Sequence, residues 1–205
     1  VESITKRIAD AKTKREAKNE KLKDQKQKIQ PKFIEPNNKR FKIIKLDFGT
    51  EKWTKWRDSG INSIDGEKIY NNLSSNKDYS KEIDITGDLL QQARDQYEEN
   101  YNIKIFPLYI QDRRFPWLQA SIDGFSEDFL KLVKISNSNK AYNDAKNNIY
   151  PKEQLQHLLM ITGLEKIDYW CYLKNKESIL IPVRRDQKMI NQLYHRYVNS
   201  DVFNN

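Results

Sequence analysis

"ASIDGFSEDFLKLVKIS", residues 120–136, is the stretch on which the reading of this chain turns. It reads as two short β-strands joined by a polar turn, with Glu127 and Asp128 in the turn. Asp123 stands at the end of the first strand, and the second strand reads Leu-Val-Lys-Ile-Ser, with Lys134 and Ser136 as its polar positions. The question is what chemistry one carboxylate, one amine and one hydroxyl can support on such a hairpin.

Outward from the hairpin, 205 residues leave room for one domain and an appendage. Lys and Arg outnumber Asp and Glu by 37 to 29, so the net charge is +8 and the pI is near 9.3. That excess favours a polyanionic partner, because cations that neutralise phosphates release condensed counterions. A Lys-rich solvated surface is the plainer explanation of the same numbers. Cys171 is the single cysteine, which excludes an intrachain disulfide and a cysteine-based zinc centre. It lies in the alternating pattern "IDYWCYLK" and is expected as a small core side chain. His157 and His195 are far apart in sequence and form no metal-ligand spacing. No GxxxxGK[ST] loop is present, so a P-loop ATPase is not expected. A Ser/His/Asp triad is left open by spacing, but no nucleophile-elbow glycine pattern accompanies it. No apolar run approaches ~18 residues and nothing resembles a secretory signal; the expectation is a soluble, cytoplasmic protein without a membrane span. The start at Val1 suggests a trimmed chain.

Residues 1–31 form one helical stretch, free of Gly and interior Pro and ending at Pro31. Its apolar stripe is Val1, Ile4, Ile8 and Ala11, then thins to Ala17, Leu22 and Ile29. A basic arm, a helix leaning on the domain and a helix pairing with another chain all remain open. Residues 40–49 read as a strand, and residues 50–73 as two helices separated by a turn at Gly60, the second starting near Ser63. A polar loop follows at 75–84. Residues 86–102 read as an amphipathic helix with Leu89, Leu90, Ala93 and Tyr97 on one face. Strands are expected in 103–124, 129–136 and 168–185, with helices over 151–163 and 185–203. This order predicts an α/β (α+β) fold with a mixed central sheet flanked by helices, not a doubly wound sheet. The domains expected are a basic helical extension, 1–31, and one folded domain, 32–205.

In order and spacing, four motifs between about Lys52 and Val198 resemble the lambda-exonuclease-like, YqaJ-type phage recombinase nucleases of the PD-(D/E)XK superfamily. The resemblance implies a restriction-endonuclease-like sheet and a Mg²⁺-dependent phosphodiester chemistry. In "WTKWRDSGINSID", Trp53, Arg57, Gly60 and Asp65 match the family spacing, which implies that Arg57 and a serine hold a DNA phosphate. Ile64 stands at the family's serine position, with Ser63 beside it. In "TGDLLQQARDQYEEN", Gly87, Ala93 and Tyr97 match, but Gln91 replaces a glutamate that orders metal-bound water in the family. Glu98 and Glu99 are about 10 Å further along the helix, at roughly 1.5 Å per residue, too far to substitute.

In the opening hairpin, "ASIDG" matches the family's "ASPDG", so Asp123 is the implied metal-ligating aspartate. Setting "LVKIS" on the family's "iiEiK" puts Lys134 at the glutamate and Ser136 at the lysine. A shift by two keeps Lys134 as the lysine and places Leu132 at the glutamate. In either register the second carboxylate is missing, whereas Mg²⁺ wants a hard, anionic oxygen shell. In the first register Lys134 stands where the metal would be. In "YPKEQLQHLLMITG", Gln154 and Gln156 match family glutamines that assist the active centre or contact DNA; a polar helical face is the alternative.

The sequence therefore points to a DNA-binding protein built on a nuclease fold, with weak or no hydrolytic activity and a homo-oligomer or partner subunit allowed. An active nuclease using Mg²⁺ at Asp123 and an acid not yet placed is the second reading. A protein-interaction module acting through residues 1–31 is the third.

Overall fold

The computed structural model describes residues 40–73 and 84–200. The expected helix at 1–31 and its boundary with the folded domain, nearly all of the polar loop at 75–84, and residues 201–205 lie outside the described residues.

The elements run β1 (Phe41–Ile44), α1 (Glu51–Asp58), α2 (Ser63–Tyr70), α3 (Asp88–Tyr101), β2 (Ile105–Asp112), β3 (Gln119–Ser126) and β4 (Leu132–Ser136). There follow α4 (Asn139–Lys146), α5 (Lys152–Thr162), β5 (Lys166–Cys171), β6 (Ile179–Arg184) and α6 (Gln187–Val198). Local chemistry sets most of the boundaries. The Thr50 hydroxyl accepts the Trp53 amide and opens α1. Asn62 and Asp65 form a capping box at α2, each side chain accepting the other's backbone N–H at 3.0 and 3.1 Å. Gly163, at φ +75°, ends α5 in the left-handed conformation that a side chain would strain. Helix α4 has no counterpart in the sequence reading. It is one short, polar element capped by Ser138, and only Tyr142 and Ala145 are buried on it.

The strands form one six-stranded sheet in the order β1-β2-β3-β4-β5-β6. Every neighbouring pair is antiparallel except β4 and β5, so the sheet is mixed, as expected. The parallel pair needs a long crossover, and α4 and α5 supply it. Leu90, Ala93 and Tyr97 of α3 pack on Ile105, Val133, Ile135 and Trp170 of the sheet. Trp170 pins that helix by donating its indole N–H to the Ala93 carbonyl at 3.2 Å. Helices α2, α5 and α6 pack together and form a second layer against β3 and β5. Cys171 is fully buried, in line with a core role. One detail of α3 differs from the periodicity. Leu89 is 58 % exposed, and the inner stripe is Leu90, Ala93, Arg94 and Tyr97. Among the described residues no helix is long and apolar enough to cross a membrane.

His157 of α5 lies at the centre of that second layer with no exposed surface. Its Nε2 is 2.8 Å from the Gln119 carbonyl, which can only accept, so Nε2 carries the proton and Nδ1 accepts the Tyr197 hydroxyl at 3.0 Å. Burial pushes the pKa of His157 down to about 4. The unfolded chain, with an imidazole near 6.5, takes up a proton first as the pH falls. The stabilisation is complete above that unfolded value and is lost progressively between pH 6.5 and about 4. A loss of about 3 kcal/mol from this one group is expected across that window. Urea midpoints measured from pH 7 to 4 should fall accordingly, and His157→Gln should flatten the dependence.

Candidate functional site

Backbone pairing between β3 and β4 covers only Phe125–Leu132 and Gly124–Val133. Beyond that point the strands part, and β4 continues with β5 from Val133–Asp168 to Ser136–Cys171. Asp123 bridges the opening. Its Oδ2 accepts the Ile135 backbone N–H at 2.8 Å and lies 2.8 Å from Nζ of Lys134. The carboxylate is buried at 2 % exposure, while the lysine side chain keeps 23 %. Gly124 permits this packing, since a Cβ there would lie 2.5 Å from Cδ1 of Ile105.

Helix α3 brings a second cation. Buried Arg94 donates Nη1 to the Asp123 carbonyl at 3.1 Å and to the Ile85 carbonyl at 2.7 Å. Its Nη2 donates to Gln91 Oε1 at 3.1 Å, and Gln91 Nε2 donates to Asp95 at 2.7 Å. Burial lowers the pKa of Arg94, and Asp123, then Asp95 and Glu98, oppose that shift. Gln91, Asp123 and Lys134 are thus joined in one chain of contacts, with Arg94 as the link. Sequence reasoning missed Arg94. The available signal was an arginine at the Leu90, Ala93, Tyr97 stripe, where a charge is buried only with partners.

The other expected site residues make their bonds elsewhere. Gln154 donates to Glu67 of α2 at 2.6 Å. Gln156 is buried; it donates to the Arg184 carbonyl at 2.9 Å and accepts the Asp186 amide at 2.8 Å. Both therefore tie α5 to its neighbours and do not rim the Asp123 centre by hydrogen bonding. Arg57, expected at a phosphate, is 2 % exposed and forms a bidentate pair with Asp65 at 2.6 and 2.9 Å. The family-spaced Asp65 is the reason: it offers the guanidinium a carboxylate inside the fold. Ser63 is the buried first residue of α2. Ser136 is half-buried beside the buried Tyr169, whose pKa burial raises. In the turn, Asp128 accepts the Ser126 hydroxyl and the Leu130 amide, and these bonds hold its pKa below the usual carboxylate range. Glu127 is exposed beside it.

No protein-family profile matches the chain and no curated protein matches it. Solved structures do. An alkaline exonuclease from Laribacter hongkongensis, LHK-Exo, superposes with a TM-score of 0.59 at 18 % identity, over 73 % of this chain and 89 % of that one. The same exonuclease in complex with dAMP gives 0.60 at 18 % identity, over 72 % and 89 %. A phage-related exonuclease from Haemophilus somnus 129PT aligns at 0.43 and 10 % identity, over 73 % and 79 %. The fold is that of the lambda-exonuclease-like nucleases.

The sequence resemblance implies a Mg²⁺ ion at Asp123, and the donor set here does not fit one. Mg²⁺ requires several oxygen ligands in near-octahedral array, with carboxylates to balance its charge. The network holds two carboxylates: Asp95 is tied to Gln91, and Oδ2 of Asp123 is already engaged by an amide and an ammonium. Among the described residues no group of three or more His, Cys, Asp or Glu is placed to hold a metal ion. A divalent ion about 4 Å from the Lys134 ammonium would meet a repulsion of about 8 kcal/mol at an effective dielectric constant of about 20. The lysine must leave before a metal can enter.

Proposed function

We propose that this protein binds DNA on a lambda-exonuclease-like scaffold and hydrolyses it weakly or not at all. The observation that carries the reading is the Lys134–Asp123 ion pair, which sets a cation against the Asp123 carboxylate. A monovalent ammonium can neutralise a buried carboxylate, but it brings no coordination site for an attacking water. The net charge of +8 supports a polyanionic partner. No base-reading motif accompanies it, so the affinity expected is micromolar and only weakly dependent on sequence. Work in the cytoplasm, alone or with a partner subunit, is part of the same reading.

The test is a titration of fluorescent duplex DNA at two salt concentrations. If about four phosphates are neutralised, raising salt from about 50 to 200 mM should weaken binding about a hundredfold. Salt-independent binding, or none at low salt, would favour an interaction module in which DNA plays no part.

A further inference from the structure

A cluster of charges away from Asp123 shares no residue with that centre. The residue before β1, the β2–β3 turn, the end of α5 and helix α6 line a cavity of about 210 Å³. Two of its guanidiniums are anchored on the last turn of α5. Arg40 donates to the Met160 carbonyl at 3.1 Å and Arg185 to the Leu159 carbonyl at 2.7 Å. The negative end of that helix favours both cations. Gly163 leaves the room for Arg40, since a Cβ there would lie 2.8 Å from its Nη1 and 2.9 Å from its Cδ. Arg185 is held again by Gln187, whose Oε1 accepts Nε at 3.0 Å. Burial, and then the charge of Arg40, lower the pKa of Arg185. An anion between these two cations would relieve their repulsion.

The same cavity contains an acid with a spare oxygen. Asp112 is 1 % exposed, and its Oδ1 accepts the backbone N–H groups of Arg114 and Phe115 at 2.7 and 3.0 Å. Among the described residues its Oδ2 accepts no hydrogen bond, and Nη2 of Arg114 stays 3.7 Å away. A buried acceptor without a donor is costly, so a ligand that brings an N–H is favoured there. Leu118, Met160 and Ile190 add a buried apolar wall.

These features select among anions. Three guanidiniums against one carboxylate leave the cavity positive. A phosphate dianion offers acceptors alone, so it would meet the Arg pair but repel Asp112. The last residue of a polypeptide carries a carboxylate, an adjacent amide N–H and a side chain in one compact unit. The volume, below the roughly 300–1,000 Å³ of ordinary small-molecule pockets, suits one such residue.

We propose that this cavity captures the carboxy-terminal residue of a partner polypeptide whose last side chain is apolar. The carboxylate meets Arg40 and Arg185, the terminal amide donates to Oδ2 of Asp112, and the side chain lies on Leu118, Met160 and Ile190. The proposal rests neither on the hydrolytic state of the Asp123 centre nor on DNA binding, and each reading can fail alone.

Fluorescence polarisation with a labelled Ser-Gly-Gly-Leu peptide tests it. Saturable binding is expected for the free acid. Amidation of the terminus should weaken it at least tenfold, and methylation of the leucine nitrogen, which removes the donor to Asp112, roughly tenfold. A terminal Gly in place of Leu should also bind more weakly. Arg185→Gln should weaken the acid roughly tenfold and leave the amide unchanged; if that variant fails to fold, the peptide series on the natural chain decides alone. N-acetyl-leucine should displace the peptide at a lower concentration than inorganic phosphate does. No saturable binding, equal binding of the acid and its amide, equal binding of the N-methylated peptide, or easier displacement by phosphate overturns the proposal.

Discussion

Linear duplex DNA incubated with the purified protein and Mg²⁺ or Mn²⁺ should remain intact. Hydrolysis of a phosphodiester by the route the sequence resemblance implies needs a divalent ion to polarise the phosphate and a group to order or deprotonate water. Asp123 supplies one anionic anchor, and its oxygen is occupied by Ile135 N–H and Lys134. Gln91 is bound to Arg94 and Asp95 and has no proton-accepting charge to offer. Arg94 adds a second cation beside the same residue. Lys134 lies directly against Asp123, and the first register sets it at the family's glutamate. Replacing Gln91 and Lys134 by Glu together with Ser136→Lys would then exchange that cation for two carboxylates. That triple variant should bind Mn²⁺ in a calorimetric titration where the natural chain does not, and recovery of cutting is the stronger outcome. Degradation of duplex by the unmodified protein, abolished in Asp123→Ala, would sink the idea. An exposed acid of the β3–β4 turn, Glu127 or Asp128, would then have to reach the ion, at the cost of the bonds that Asp128 makes to Ser126 and Leu130.

The largest loss of stability is expected from Asp65→Ala. The carboxylate receives both arms of Arg57 and the Asn62 amide, with the arginine side chain 2 % and the aspartate 10 % exposed. Removing it takes a bidentate carboxylate from a buried guanidinium and also opens the capping box of α2. Breaking a buried pair from one side costs about 3–5 kcal/mol, which should appear as a large drop in the urea midpoint. Arg57→Met combined with Asp65→Leu removes both charges and should be far less damaging than Asp65→Ala alone. A double variant as unstable as the single one would assign the loss to the cap instead. A near-native Asp65→Ala would restore Arg57 as a mobile phosphate ligand.

The amino-acid order by itself determined the elements with strong local signals. The capped helices α1 and α2, the helix ending at Gly163, and the hairpin that carries Asp123 follow from cap chemistry and apolar periodicity over a few residues. The mixed sheet also follows, because the long segment between the second and third strand regions requires a crossover. Residues with weak periodicity were missed, and short polar α4 is the case. Leu89 was placed inward because apolar character was counted and rotation about α3 was not; packing on Val133 and Ile135 turned Arg94 inward instead. Tertiary structure alone decided what each charged side chain meets. That Lys134 faces Asp123, that Arg94 reaches the Asp123 carbonyl from α3, that Arg57 is spent on Asp65, and that three distant arginines share one cavity are all relations between separated segments. Periodicity reports which face of an element is buried, whereas the partner of a buried charge is set by which elements pack together. The interaction itself falls off within a few ångströms, so its identity could be read only once those elements were assembled.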